Sequence, residues 1–319
     1  MNLLSYEPKK EFAQKHLLGL SGYTKDEVMQ VLSLALKLKK QTKEGLMPPL
    51  LQGKILAMIF AKSSTRTRVS FEAGIYQLGG TAQFLSSADI QLGRGEPIAD
   101  TAKVLSRMVD GIMIRTFAQS DVDDLAKYGS IPVINGLTDL LHPCQALADL
   151  MTYYEHVGSL SGKISYVGDG NNVANSLLVA CAKVGLNIAI GCPKGFEPDA
   201  GVLAAAQEAA KQSGASVTVT NDAAQAVSGA NAVYTDVWAS MGQEQGADEK
   251  HAHFTAYQVN EKLMSGAAQN AIFLHCLPAH RGQEVSAEVI DGPRSAVWDE
   301  AENRLHAQKA VMALLMKDS

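Results

Sequence analysis

The chain has 319 residues, 46% of them hydrophobic and 19% charged, and a formal net charge of −5. That length carries about two ordinary domains, and the composition excludes intrinsic disorder. The acidic balance excludes a global basic field for nucleic acid, and no run approaches the roughly 18 apolar residues that span a membrane. Met1–Leu20 holds Glu7, Lys9, Lys10, Glu11 and Lys15, so it does not read as a secretory leader. Cys144, Cys181, Cys192 and Cys276 form no C-x-x-C pair. No zinc site or disulfide framework is expected, and reduced thiols in a cytoplasm are.

In chain order, Thr24 with Glu27 reads as a capping box opening a helix whose apolar face is Val28, Val31, Leu32, Ala35 and Leu38. The short apolar run Ile55–Phe60 predicts a buried strand, Val69–Leu78 a helix and Thr81–Leu85 a weak strand. The spacing then predicts a helix over Ile98–Met108, a strand over Gly111–Arg115, a helix over Asp121–Tyr128 and a strand over Ile131–Asn135. Pro143 suits the first helical position before Gln145–Tyr154. The pattern restarts with strands over Lys163–Val167, Leu186–Ile190, Ser216–Thr220, Ala232–Tyr234 and Ala271–His275. Helices are expected over Val173–Val184, Asp199–Lys211, Asp222–Ser228, Tyr257–Met264 and Asp299–Met316. Ala239–Thr255 is polar and aperiodic, too long for a simple connection, and reads as a lid. Alternating strands and helices imply α/β architecture: two doubly wound parallel-sheet domains with the active site in the cleft between them. The expected domains are 1–150 and 151–319.

Ligands in such sheets bind beyond the carboxyl ends of strands. Six of the nine expected ends carry polar groups that could serve one site. They are Lys62 to Arg68, Arg115, His142 to Gln145, Gly168 to Asn172, Asp236 to Gly242, and Cys276 to Pro278. Ser64 and Thr65 alone would read as a helix cap. Arg66 and Arg68 at alternate positions turn the segment toward an anion, because a helix start offers free N–H groups and an arginine offers a planar fork. Arg115 alone suits a surface ion pair, and His142 alone a helix cap. Gly168-Asp169-Gly170-Asn171-Asn172 matches a dinucleotide fingerprint weakly, since Val173 stands at the third glycine position.

Taken together, these segments resemble the aspartate/ornithine carbamoyltransferase family. Phe60-Ala61-Lys62-Ser63-Ser64-Thr65-Arg66-Thr67-Arg68 is similar to its carbamoyl phosphate loop, and His142-Pro143-Cys144-Gln145 to its second motif. Asp236-Val237-Trp238-Ala239-Ser240-Met241-Gly242 and His275-Cys276-Leu277-Pro278 resemble the ornithine-specific branch. Ala61 departs from the family's frequent Glu.

The resemblance implies that carbamoyl phosphate and L-ornithine give L-citrulline and phosphate, without cofactor or metal. It assigns the phosphate to Ser64, Thr65, Arg66 and Thr67, with Arg115 bridging phosphate and carbonyl oxygen. His142 would donate to the carbonyl oxygen and Gln145 would hold the carbamoyl amide, with the Leu277 backbone and Arg304 completing that pocket, so that the terminal helix from about 299 would pack back on the first domain. Gln91 would reach the phosphate of a neighbouring subunit in a homotrimer or an assembly of trimers. Asn172, Asp236, Ser240 and Met241 would bind ornithine, and Cys276 would lie near the reacting amine. Arg66, Arg115, His142, Asp236 and Cys276 are the expected catalytic residues. Arginine biosynthesis is the expected setting, with the catabolic arginine deiminase route as the alternative direction. Aspartate is disfavoured because Thr81–Thr101 lacks a Lys, and putrescine because of Ser240-Met241-Gly242. A nucleotide-binding protein built on Gly168–Asn172 would leave the other motifs without a role.

Overall fold

The computed structural model describes residues 2–238 and 247–317. The chain forms two compact units, Met1–Met151 with Asn303–Ser319, and Thr152–Glu302.

The first unit opens with α1 (Lys25–Lys43). Its capping box is complete: Thr24 Oγ1 accepts the Glu27 N–H at 3.2 Å, and the Glu27 carboxylate accepts the Thr24 N–H at 2.8 Å. Then follow β1 (Ile55–Phe60), α2 (Thr65–Gln77), β2 (Thr81–Ser86), α3 (Ile98–Leu105), β3 (Gly111–Arg115), α4 (Gln119–Tyr128), β4 (Val133–Leu137) and α5 (Pro143–Val157). The strands are parallel in the order β2-β1-β3-β4. Side chains alternate across a strand. Ala57 and Ile59 pair with Ile112 and Ile114 and share one apolar cluster with Ala102 of α3 and Val122 and Leu125 of α4.

The second unit holds β5 (Lys163–Val167), α6 (Asn172–Val184), β6 (Asn187–Gly191), α7 (Ala200–Ser213), β7 (Val217–Thr220), α8 (Ala223–Val227), β8 (Ala232–Tyr234), α9 (Ala247–Phe254), α10 (Glu261–Met264), β9 (Ile272–Leu274) and α11 (Ala287–Ile290). Its strands are parallel in the order β7-β6-β5-β8-β9. Val167, Val233 and Phe273 lie in one core with Trp238, Phe254 and Val285. The long helix α12 (Val297–Met316) begins in this unit and ends in the first.

The strand orders place the sites. In the first sheet the chain leaves β1 toward β2, then returns to the other side of β1 as β3, so the order reverses between β1 and β3. In the second it reverses between β5 and β8. A crevice opens beyond the strand ends at such a reversal. The loops there are Ala61–Ser64 and Arg115–Ala118 in the first unit, and Gly168–Asn171 and Thr235–Trp238 in the second.

Four expectations are corrected. α2 starts at Thr65, so the hydroxyl- and Arg-rich run is its first turn, capped by Ser64. β4 lies two residues later than expected, over Val133–Leu137. Only Glu261–Met264 of the helix expected over Tyr257–Met264 forms as α-helix. Val259 is drawn instead into a bridge with Val285, giving its N–H to Glu284 O at 2.9 Å. The aperiodic stretch Ala239–Thr255 includes α9, while residues 239–246, Ser240 and Met241 among them, lie outside the described residues.

Gly170 shows how closely the second crevice is built. Its N–H donates to Phe196 O at 2.9 Å. A Cβ there would lie 2.3 Å from Pro198 N and 2.4 Å from Glu197 C, both backbone atoms that cannot yield cheaply. Gly170→Ala is therefore expected to destabilise the protein by about 2–3 kcal/mol, measured as a lower urea midpoint. An unchanged midpoint would contradict that packing.

Candidate active site

In the first unit, Ser64 caps α2 by accepting the Thr67 N–H at 3.2 Å, and its hydroxyl reaches Thr67 Oγ1 at 3.1 Å. The first-turn amides and the positive end of the helix dipole make this an anion-binding geometry. Its charged neighbours sort themselves by partner. Arg68 pairs with Glu72 at 3.1 Å and covers the Phe84 ring at 3.8 Å. Lys62 is held by Asp139 and lies 4.3 Å from the Phe117 ring centroid.

Arg66 takes the other direction. Its field, with those of Arg304 and Arg115, acts on buried His142. Burial first, then these three guanidinium groups, push the imidazole well below its ordinary range. His142 is thus an uncharged hydrogen-bonding group through neutral pH. Cys144 beside it is pushed up to about 12 by burial, which makes it an inert thiol.

Arg304 is buried and links the surrounding elements. Nη1 donates to Gln145 Oε1 at 2.8 Å and Nη2 to Thr67 Oγ1 at 3.3 Å. With its amide oriented to satisfy both ends, Gln308 accepts from Arg304 Nε at 3.1 Å and donates to Ser70. Gln145 in turn donates to Asp149 at 2.8 Å. Arg304 therefore fixes Thr67 of α2 and Gln145 of α5 in one register. Buried Arg115 ends β3, where its carbonyl accepts the Ala61 N–H at 2.8 Å. Thr65 and Gln91 are exposed, and Gln91 opens the short 3-10 turn Gln91–Arg94.

The His142 effect has a definite sign for stability. Above about 6.5 both folded and unfolded states hold a neutral imidazole. Below it the unfolded chain takes up a proton that the folded site resists, so stability falls by up to about 1.4 kcal/mol per pH unit. The stability gap between wild type and His142→Asn is expected to narrow as pH drops from 7 to 5, read from urea midpoints. A gap independent of pH would contradict a neutral, field-depressed His142.

In the second unit, Asn171 caps α6 and donates from Nδ2 to Asp236 Oδ2 at 2.8 Å. Half-buried Cys276 donates from Sγ to Asp236 Oδ1 at 3.1 Å. Asn172 is the first residue of α6. Leu277 has φ +59°, the left-handed region that costs a branched side chain about 1–2 kcal/mol, and the Leu277–Pro278 bond is cis. Its N–H is caught by His275 Nδ1 at 2.9 Å. The other ring nitrogen of His275 meets Glu284 at 3.2 Å, and Glu284 also accepts the His280 N–H at 2.5 Å. Burial pushes the Glu284 carboxyl up, but hydrogen bonds from His275 and the His280 backbone outweigh it and hold the group below the usual carboxylate range. Glu300 accepts the His275 N–H at 2.8 Å and the Tyr234 hydroxyl at 3.0 Å.

Asp236, His275 and Cys276 bring three donor atoms within 4.8 Å of one another. Both His275 nitrogens are engaged in holding the loop, so the group reads as a hydrogen-bonded brace.

The expected site residues thus fall into two groups. Ser64, Thr65, Arg66, Thr67, Gln91, Arg115, His142, Gln145 and Arg304 belong to the first unit, and Asn172, Asp236, Cys276 and Leu277 to the second. Asn171, His275, Glu284, Glu300 and Gln308 escaped the sequence reading. A capping signal before α6 could have found Asn171. Glu284 lies in an irregular segment and had no such signal.

Residues 15–155 match the family model described as aspartate/ornithine carbamoyltransferase, carbamoyl-P binding domain, and residues 161–315 match the Asp/Orn binding domain of the same family. An ornithine carbamoyltransferase of Oceanobacillus iheyensis is 58% identical over 311 residues, covering 97% of each chain. The ornithine carbamoyltransferase structure from Pyrococcus furiosus superposes with a TM-score of 0.94 at 53% identity, covering 97% of this chain and 99% of that one. An anabolic ornithine carbamoyltransferase structure from Campylobacter jejuni has a TM-score of 0.89 at 41% identity, covering 95% and 99%.

Proposed function

We propose that this chain, which belongs to the aspartate/ornithine carbamoyltransferase family, transfers the carbamoyl group of carbamoyl phosphate to the side-chain amine of L-ornithine, giving L-citrulline and phosphate. The observation that carries the reading is the convergence of Arg66, Arg115 and Arg304 on neutral His142, beside the capped start of α2. That is a dianion pocket with a hydrogen-bonding group that bears no charge of its own.

The phosphate is assigned to Ser64, Thr65, Arg66 and Thr67. Attack of the amine nitrogen on the carbonyl carbon makes a tetrahedral centre whose oxygen gains negative charge. Arg115, His142 and Thr67 are the donors proposed for it, preorganised before charge develops. Gln145 is assigned to the carbamoyl amide, with Arg304 keeping Gln145 in place. The C–O bond to phosphate then breaks, phosphate leaves with the electron pair, and the nitrogen loses its proton. Asn172, Asp236, Ser240 and Met241 are assigned to ornithine, with Cys276 beside the reacting amine.

The assembly proposed is a homotrimer, or trimers further assembled, in which Gln91 serves a neighbour's phosphate. Exposed Val69 and Tyr76, one face of α2, support an unfilled contact surface next to the pocket. Arginine biosynthesis in a cytoplasm is the proposed setting, in keeping with four cysteines that form no disulfide. Among the described residues, no helix is long and apolar enough to cross a membrane.

An alkylamine has a reference pKa near 10.4, so freeing its lone pair at pH 7 costs roughly 4–5 kcal/mol. Turnover at saturating substrates is expected to rise about thirtyfold from pH 7 to 8.5. A flat profile from about pH 6 to 9 would contradict an amine that must lose its proton before attack. The reading itself is tested by stoichiometry. One citrulline per phosphate released is expected, and phosphate release without citrulline would overturn it.

A further inference from the structure

We infer that Asn171 is a positioning residue for the amino-acid substrate, its amide aiming the Asp236 carboxylate; this rests on the ornithine reading above. Asn171 Oδ1 is fully committed at the start of α6. It accepts the Val173 N–H at 2.9 Å, the Ala174 N–H at 3.2 Å and the Tyr166 hydroxyl at 3.2 Å. The amide cannot be reversed, because Nδ2 would then face two N–H groups and Oδ1 a carboxylate. Nδ2 is therefore driven onto Asp236 Oδ2, at 2.8 Å.

Asp236 is buried and held at both oxygens, by Asn171 on one and Cys276 Sγ on the other. Strand pairing supplies the frame. β5 and β8 are neighbours at the chain reversal, with Tyr166 opposite Tyr234 and their rings stacked 5.7 Å apart. Asn171 and Asp236 follow these strands, so the sheet brings the two side chains together.

The cap alone does not require asparagine. Asn, Asp and Ser cap helices about equally well. Only the donation to Asp236 needs an amide. Asp236 is the carboxylate assigned to the cationic substrate, and its orientation decides where that cation sits. A misplacement of about 1 Å can cost roughly 10²-fold in rate.

The test compares Asn171→Ser and Asn171→Asp with wild type as full-length enzyme. Both substitutions keep the cap; the Asn171→Ser midpoint should stay close to wild type, while Asn171→Asp should lose stability as pH rises, because the folded site resists giving up the proton shared with Asp236. kcat/KM for ornithine should fall about 10- to 100-fold in both, while KM for carbamoyl phosphate stays within about twofold. The pH dependence separates positioning from packing. The carboxyl introduced by Asn171→Asp would share a site with Asp236, and such pairs hold a proton to higher pH. Once protonated, the introduced carboxyl again donates to Asp236, so the Asn171→Asp deficit relative to wild type should shrink as pH falls from about 8 to 6. The Asn171→Ser deficit should not change.

Folded variants with wild-type ornithine kinetics, a KM for carbamoyl phosphate raised well beyond about twofold, or an Asn171→Asp deficit independent of pH would overturn the inference. Each of these leaves wild-type citrulline formation in place. Wild-type protein that forms no citrulline would overturn the ornithine reading, and this inference with it.

Discussion

Arg115→Ala is expected to lower kcat/KM for carbamoyl phosphate by about 10³-fold, with an unfolding midpoint near that of wild type. Removal of one preorganised donor costs about 10²–10³ in turnover, and this one is also proposed to meet the phosphate dianion. The backbone prepares the side chain for that work. Arg115 ends β3 opposite Phe60 of β1, but the β3–β4 pairing slips between Ile114 and Arg115, so Arg115 pairs with Leu137 and skips Gly136. The extra residue lies on β4, so it is β4 that bends there, and Arg115 keeps its place as the last residue of β3. Arg115→Lys should recover only part of the loss, because an ammonium cannot make the parallel fork. Removing the Arg115 field should also let the His142 pKa climb back toward its ordinary value. The acid limb of kcat/KM should therefore move to higher pH in Arg115→Ala. An alanine variant within about threefold of wild type would remove Arg115 from the chemistry.

Asp236→Asn is expected to lower kcat/KM for ornithine by about 10²–10³-fold while leaving carbamoyl phosphate binding nearly unchanged. Breaking a buried ion pair by removing one partner costs about 3–5 kcal/mol, or roughly 10²–10⁴ in rate, and an isosteric amide should fall in the lower part of that range. The neutral amide fits the same volume but inverts one hydrogen bond, since its NH2 would meet the Asn171 amide or the Cys276 thiol. The loss should appear mainly in KM for ornithine. A loss confined to carbamoyl phosphate would place Asp236 in the other half of the chemistry.

The strands at the centre of both sheets were legible because they are short apolar runs ending in polar residues. β4 was read two residues early. Ile131 is buried, so apolar patterning reported burial there, while pairing begins only after Pro132, whose carbonyl accepts the Ile112 N–H. The start of α2 was hidden because its first turn, Thr65 to Arg68, shows no apolar period. Its helical state is set by the Ser64 cap and a chain reversal that brings Arg115 alongside. Family likeness supplied Arg304, which no local pattern marks. Gln308, one turn further along α12, was missed because its role depends on Ser70 of α2 coming within reach of α12. Glu284 was illegible for a stronger reason: its partners His275 and His280 belong to an irregular segment shaped by the fold itself.

The net charge of −5 gave no hint of an anion pocket, because a sum over the chain averages out three arginines gathered around one histidine. Local convergence, set by which strand ends the sheet order makes neighbours, decides the electrostatics of a site.

The central claim is that the first unit presents a carbamoyl phosphate pocket and the second accepts ornithine. It is tested most directly by carbamoyl transfer rates with ornithine, aspartate and putrescine, at saturating carbamoyl phosphate. The account predicts rapid transfer to ornithine and at least about 10²-fold lower kcat/KM for the other two. Equal or faster transfer to aspartate or putrescine would contradict it.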